Sequence, residues 1–179
     1  MKCVAGIFGS LQAADRARRF LATADLHAKQ IVVLPPGTSP SALALLGGHL
    51  DEDQYLFGHA LELGAAVVVV LVDEPVHVLV ARAALDRTGA EPMADVCERW
   101  WHAVRAREEP HWRGAGATAH FAEDAYRQGF IAAQRPSSRG RSYTEVLEDA
   151  ERRSPWSGAP EAFRLGYERG QAWGRRHAA

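Results

Sequence analysis

The run AAVVVVLV at residues 65–72 narrows the choice of fold more than any other stretch of this chain. Its β-branched side chains favour a pleated strand over a helix. Odd and even positions are equally apolar, so neither face suits water, and the run reads as the central strand of a sheet. The surrounding sequence offers it neighbours. Residues 3–8, CVAGIF, end at Gly9-Ser10, and Ser10 is a good helix N-cap. Behind it Leu11, Ala14, Ala17, Leu21 and Ala24 recur at helical spacing, with Asp15, Arg16, Arg18 and Arg19 on the other side. Residues 30–34, QIVVL, form another apolar run, stopped by Pro35-Pro36-Gly37. After a loop carrying SALALLGG, residues 51–63 have acids at the front and Gly64 just past the end, which predicts a helix. Pro75 opens a further helix with Val76, Leu79, Val80 and Ala83 on one face. Gly89 ends it, and residues 90–96 are expected to supply a fourth strand. The order β-α-β-(α)-β-α-β predicts an α+β fold of the ferredoxin-like split βαβ kind. It would have a four-stranded antiparallel sheet, helices on one face, and the first and third strands central.

The character of the chain changes near residue 97. Residues 1–97 hold seven Lys and Arg against eleven Asp and Glu, whereas residues 98–179 hold fourteen Arg against eleven acids and all five Trp. Two domains are therefore expected, 1–96 and an all-helical extension over 97–179. The net charge of −1 offers no overall field to attract nucleic acid or an anionic membrane. Only Cys3 and Cys97 are present, too few for a disulfide framework, so a reducing cytoplasm is the expected setting. The N-terminal apolar run is too short for a signal peptide, and Ala65–Val72 is too short to span a bilayer.

Within the second half, Asp95-x-x-Glu98 and Ser142-x-x-Glu145 have the form of capping boxes. PHWRGAGAT, from Pro110, reads as a breaker-rich loop, Thr118 as the cap of a helix running to Arg135, SPWSGAP as a turn, and Pro160 as the first position of the last helix. Two of these helices carry one phrase twice: AYRQGF at 125–130 and AFRLGY at 162–167. Tyr126 and Phe130 share a face, as do Phe163 and Tyr167. Beside them run small residues at every fourth position, Ala125, Gly129 and Ala133 in one helix, Ala162, Gly166, Gly170 and Gly174 in the other. An interior glycine costs about 1 kcal/mol against alanine, and a close helix crossing repays it. The duplication is expected to encode two helices that pack on each other or on a partner's copy, with homo-oligomerisation as the expected outcome.

The pattern VAGIF-S…IVVL, then DQYLFGHALELGAAVVVVLVDE and ALDRTGA, resembles the YflT-like general stress protein domain of bacteria over residues 3–96. The Gly/Ala-rich segment between second strand and second helix is shortened here to SALALLGG. A short match at GRS-[aromatic]-x-E-V is similar to the extension of some stress-domain proteins. The resemblance implies a stress-associated protein and brings no catalytic residues with it.

Chemical motifs are sparse. Cys3 and Cys97 would lie on neighbouring antiparallel strands in the expected sheet, where two unrelated cysteines are a better reading than a strained disulfide. His102, His111 and His120 recur every nine residues, a poor spacing for a metal set, so no metal or cofactor is expected. Ser10 sits where phosphate binds in other strand-helix junctions, but no GxGxxG or GxxxxGK[ST] accompanies it. The leading expectation is a non-enzymatic protein that associates through its C-terminal helices. The alternatives are a binder of a small ligand, metal or haem, with Trp101, His102 or Trp112 lining a pocket between sheet and helices, and a nucleic-acid binder using the Arg/Trp-rich half. The latter is disfavoured by i,i+4 ion-pair spacing such as Glu123–Arg127 and Arg164–Glu168.

Overall fold

A computed structural model describes residues 2–23, 28–39, 41–42, 53–114, 120–153 and 159–177. Most of SALALLGG, together with Ala24, Thr118 and most of SPWSGAP, lies outside the described residues. The chain divides into two compact units, Met1–Trp100 and Trp101–Ala179.

In the first unit, β1 (Lys2–Phe8), β2 (Ala28–Leu34) and β3 (Ala66–Val72) form one antiparallel sheet in the order β1-β3-β2. Val4 pairs with Val70 and Val32 with Val69, so β3 is central. All seven of its residues are buried, as the two-sided apolar run requires. Helices α1 (Leu11–Thr23) and α3 (Pro75–Arg87) send Ala14, Ala17 and Leu21, and Ala81, Ala84 and Leu85, into one core with Val68, Val70 and Val72. Val67, Val69 and Leu71 alternate to the opposite face and are also buried. Helix α2 (Gln54–Glu62) precedes β3 and contacts it, with Leu56, Phe57, Ala60 and Leu61 buried. Both faces of the central strand are thus covered.

The sheet has three strands rather than four, which corrects the ferredoxin-like expectation. Residues 90–92 make one ladder-like bond, from the Glu91 N–H to the Ile7 carbonyl at 2.8 Å, and then the chain turns into helix. Pro92 has no N–H to continue a ladder and a φ suited to a helix start. From Met93 the apolar residues fall at Val96, Trp100 and Val104, all buried, which is a helical period and not a strand's. Helix α4 therefore runs Met93–Gly114, through Pro110, and Asp95 lies in its first turn rather than at its cap. With no fourth strand, β1 is an edge of the described sheet, and Cys97 sits on a helix while Cys3 is buried in β1. Neither cysteine is joined in a disulfide.

The second unit contains α5 (His120–Gln134), a 3-10 turn (Pro136–Ser138), α6 (Tyr143–Arg153) and α7 (Pro160–His177). The capping box at the front of α6 forms: the Ser142 N–H donates to Glu145 Oε2 at 2.8 Å, and the Glu145 N–H donates to Ser142 Oγ at 3.4 Å. The Ser142 hydroxyl, which donates to Glu145 Oε2 at 2.7 Å, and then the Ser142 N–H hold the Glu145 carboxyl below the usual glutamate range.

Candidate functional site

The duplicated phrase lies at the crossing of α5 and α7. A Cβ built on Gly129 would fall inside the carbonyl oxygen of Phe163 and 2.9 Å from the Tyr167 nitrogen. One built on Gly166 would fall inside the carbonyl oxygen of Tyr126, 2.8 Å from its carbon. Gly170 stands the same way to the Phe130 oxygen, at 2.6 Å. The contacts advance along both helices together, Tyr126 against Gly166 and Phe130 against Gly170, so the helices run parallel. They are also reciprocal: each central glycine of one phrase faces the carbonyl three residues ahead of the other's. An approximate local two-fold therefore relates the two hexapeptides, and this is the physical content of the repeat. Glycine Cα–H groups aimed at carbonyl oxygens add about 0.5–1 kcal/mol each. Around the contact Ala125, Tyr126, Phe130, Phe163 and Tyr167 are buried, and Ala162 is half-buried.

Two polar anchors flank this crossing. The Tyr167 hydroxyl shares its proton between the carbonyls of Ser138 and Arg141, each at 3.0 Å. Burial raises its pKa above the usual tyrosine value. On the other side Arg169 grips Glu108 with two bonds, Nε to Oε2 at 2.8 Å and Nη2 to Oε1 at 2.9 Å, and the Tyr126 hydroxyl donates to Oε2 at 3.1 Å. Glu108 is 4% exposed. Burial pushes its carboxyl up, but Arg169 and Tyr126 outweigh that and hold it below the ordinary value. The Tyr126 hydroxyl is pushed up, by burial first and the Glu108 charge second. This acid went unrecognised in the sequence. The signal was its phase: Trp101, Val104 and Glu108 lie on one stripe, and an acid on a buried stripe requires a partner.

The other expected site residues do not converge. Ser10 caps α1, its Oγ accepting from the Ala13 N–H at 3.2 Å. Trp101 is buried against Tyr126 and Phe130, with ring centroids 6.3 and 5.8 Å away, and the Arg127 guanidinium lies over it. His102 is exposed, and the Trp112 side chain lies outside the described residues. Among the described residues no group of three His, Cys, Asp or Glu could hold a metal. Several arginines of the second unit bind within it: Arg105 pairs with Glu123 at 2.5 Å, Arg141 with Asp149 at 2.7 Å, and Arg164 with Glu161 at 2.8 Å and Glu168 at 3.5 Å. Glu123 thus takes Arg105 as a partner, while Arg127 stacks on Trp101.

Two features of the surface stand out. In the first unit, α3 is apolar on both sides. Ala81, Ala84 and Leu85 face the sheet, while Val76, Leu79 and Val80 are 60%, 72% and 43% exposed. The stripe continues through exposed Ala83 towards Arg87, whose guanidinium lies 5.9 Å from the ring centre of exposed Phe20 on α1. In the second unit a groove of about 300 Å³ opens between α5, the 3-10 turn, α6 and α7.

No known family model matches this chain, and neither a curated protein nor a solved structure matches it. Among the described residues no helix is long and apolar enough to cross a membrane.

Proposed function

We propose that this is a non-enzymatic interaction protein that pairs with a second copy of itself through the outer face of α3. The observation that supports this reading is the stripe of Val76, Leu79, Val80 and Ala83, held outward by a helix whose opposite face anchors in the sheet core. An exposed apolar stripe on a helix already anchored by its other face marks an interaction surface. Fully burying a valine or leucine is worth about 1.5–3 kcal/mol, which supplies the driving force. A second copy is favoured as occupant because the stripe's ends are complementary. Asp73 and Glu74 stand at the front of α3, and Arg82 and Arg87 stand towards its rear with Asp86. An antiparallel two-fold pairing brings front against rear, and such closed pairing is the commonest form of self-association. A thirteen-residue helix is about 20 Å long, so the contact is small and belongs to the weak, transient class.

The α5–α7 crossing has a different part in this reading. Its glycine faces are occupied by each other within one chain, and it serves to make the second unit rigid. A stress-associated role rests on the sequence resemblance of residues 3–96. The experiment is sedimentation across a hundredfold range of concentration for the wild type, Leu79→Glu, Glu74→Arg, Arg87→Glu and the double charge reversal. Leu79 is exposed, so its replacement leaves the fold intact. The wild type is expected to shift towards dimer, Leu79→Glu to stay monomeric, and the double reversal to recover more dimer than either single. A wild type that is monomeric throughout refutes the proposal.

A further inference from the structure

The groove of the second unit has a mixed lining. Ile131, Ala132, Val146 and Phe163 make its apolar wall, and Arg135, Arg141 and Asp149 its charged part. Most of the charge is already satisfied. Asp149 takes Arg141 at 2.7 Å and also Arg152, and Arg141 Nη2 donates to the Glu145 carbonyl at 3.0 Å. These contacts hold the Asp149 carboxyl below its usual range, so it stays a charged, occupied acceptor. Arg135 differs. It follows directly on the end of α5, its Nε is buried, and that N–H has no acceptor among the described residues. Nor does its guanidinium make an ion pair there.

A buried guanidinium N–H left without an acceptor is costly, and arginine cannot shed its proton to escape that cost. Its planar fork suits a carboxylate or a phosphate. The rest of the groove decides between them. Gln128, Ser137 and Ser138 also line the groove and serve either head group, but the wall of Ile131, Ala132, Val146 and Phe163 offers an inorganic oxyanion no donors. It suits a hydrocarbon body instead. The volume, about 300 Å³, is at the lower end of ligand-binding clefts and restricts the occupant to a small molecule.

We infer that this groove binds a small organic monocarboxylate, its head on Arg135 and its apolar body along Ile131, Ala132 and Val146. This site is independent of the α3 face and stands or falls separately from it.

The test titrates benzoate and hexanoate into the full chain, with benzamide and inorganic phosphate as comparison probes. Calorimetry gives the affinity, and the arginine Nε–Hε resonances in ¹⁵N-resolved spectra report the contact. Benzoate or hexanoate is expected to bind saturably and shift the Arg135 Nε–Hε signal, with benzamide and phosphate much weaker. Arg135→Gln is expected to weaken the carboxylate by about tenfold or more, and Arg135→Lys by less. Ile131→Trp, which fills the groove from its apolar side, is expected to abolish binding while leaving Arg135 in place. Unchanged near-ultraviolet circular dichroism checks that each variant is folded. Equal binding by wild type and Arg135→Gln overturns the assignment, as does phosphate binding in preference to both carboxylates. Absence of saturable binding by either carboxylate up to about 10 mM, a very weak affinity, overturns it as well.

Discussion

Replacing Gly166 by alanine puts the reading of the repeated phrase at risk, because two effects of opposite sign compete. On an open helix the change stabilises by about 1 kcal/mol. At the α5–α7 crossing the new carbon would lie 2.8 Å from the Tyr126 carbonyl carbon, with the oxygen closer still. Carbon atoms rest about 3.5–4.0 Å apart, so the helices must separate by roughly 1 Å. The obstacle is backbone and cannot rotate away. Separation also loosens Phe130, Phe163 and Tyr167, which are fully buried beside it. Overpacking against backbone falls at or above the top of the usual range of about 1–3 kcal/mol, so a net loss of about 2 kcal/mol is expected after the propensity gain of about 1 kcal/mol. Gly174 is the control on the same helix: its nearest neighbour would be Gln134 Oε1 at 3.7 Å, an ordinary contact. Gly174→Ala is expected to stabilise by about 0.5–1 kcal/mol. The assay is urea unfolding followed by tryptophan fluorescence. For a unit of this size the Gly166→Ala midpoint should fall by about 1–2 M. A Gly166→Ala midpoint at or above wild type, matching Gly174→Ala, would refute the close crossing.

The reciprocal geometry makes a further demand. Once Gly129→Ala has parted the helices, adding Gly166→Ala should cost clearly less than it does alone, and strictly additive losses would count against a shared contact. Glu108→Gln should destabilise the second unit by roughly 1–3 kcal/mol at neutral pH, since Arg169 loses a charged partner. The pH dependence has a definite sign. A carboxyl held below the ordinary value of 4.5 contributes fully above that value, and its contribution is lost as the pH falls through the lower folded-state pKa. The gap between wild type and Glu108→Gln should therefore be widest above pH 4.5 and close in acid, as measured by urea midpoints at a series of pH values. Tyr167→Phe should cost about 1 kcal/mol by the same measurement, because its hydroxyl serves two carbonyls.

The three strands were legible because each is a short apolar run, β-branched most fully in β3, and the α6 cap because a Ser-x-x-Glu box is local chemistry. The expected fourth strand over residues 90–96 follows only from their position after Gly89 in the β-α-β order. Pro92 and the helical phase of Val96, Trp100 and Val104 favoured a helix instead. Pro110 reads as a breaker in the sequence, yet α4 runs through it. The glycine stripes suggested close helix contact, but whether that contact lay within the chain depends on the return path through α6, which no local pattern encodes. The groove depends on Arg135, Arg141 and Phe163 from separate elements, and nothing in their spacing announces it. The stripe of Val76, Leu79, Val80 and Ala83 is apolar in the sequence, but it is exposed because the smaller Ala81 and Ala84 take the sheet side.

The central claim is the antiparallel pairing of α3 with itself, and oxidative crosslinking tests it most directly. With a two-fold between Leu79 and Val80, position 76 of one copy lies opposite position 83 of the other. Chains carrying Val76→Cys and chains carrying Ala83→Cys are mixed, oxidised and digested, and the linked peptides are identified by mass. The account predicts abundant 76–83 links between the two variants and far fewer within either variant alone. Links that form equally in all three samples, or none above the level of a control pair on the sheet side of α3, would contradict it.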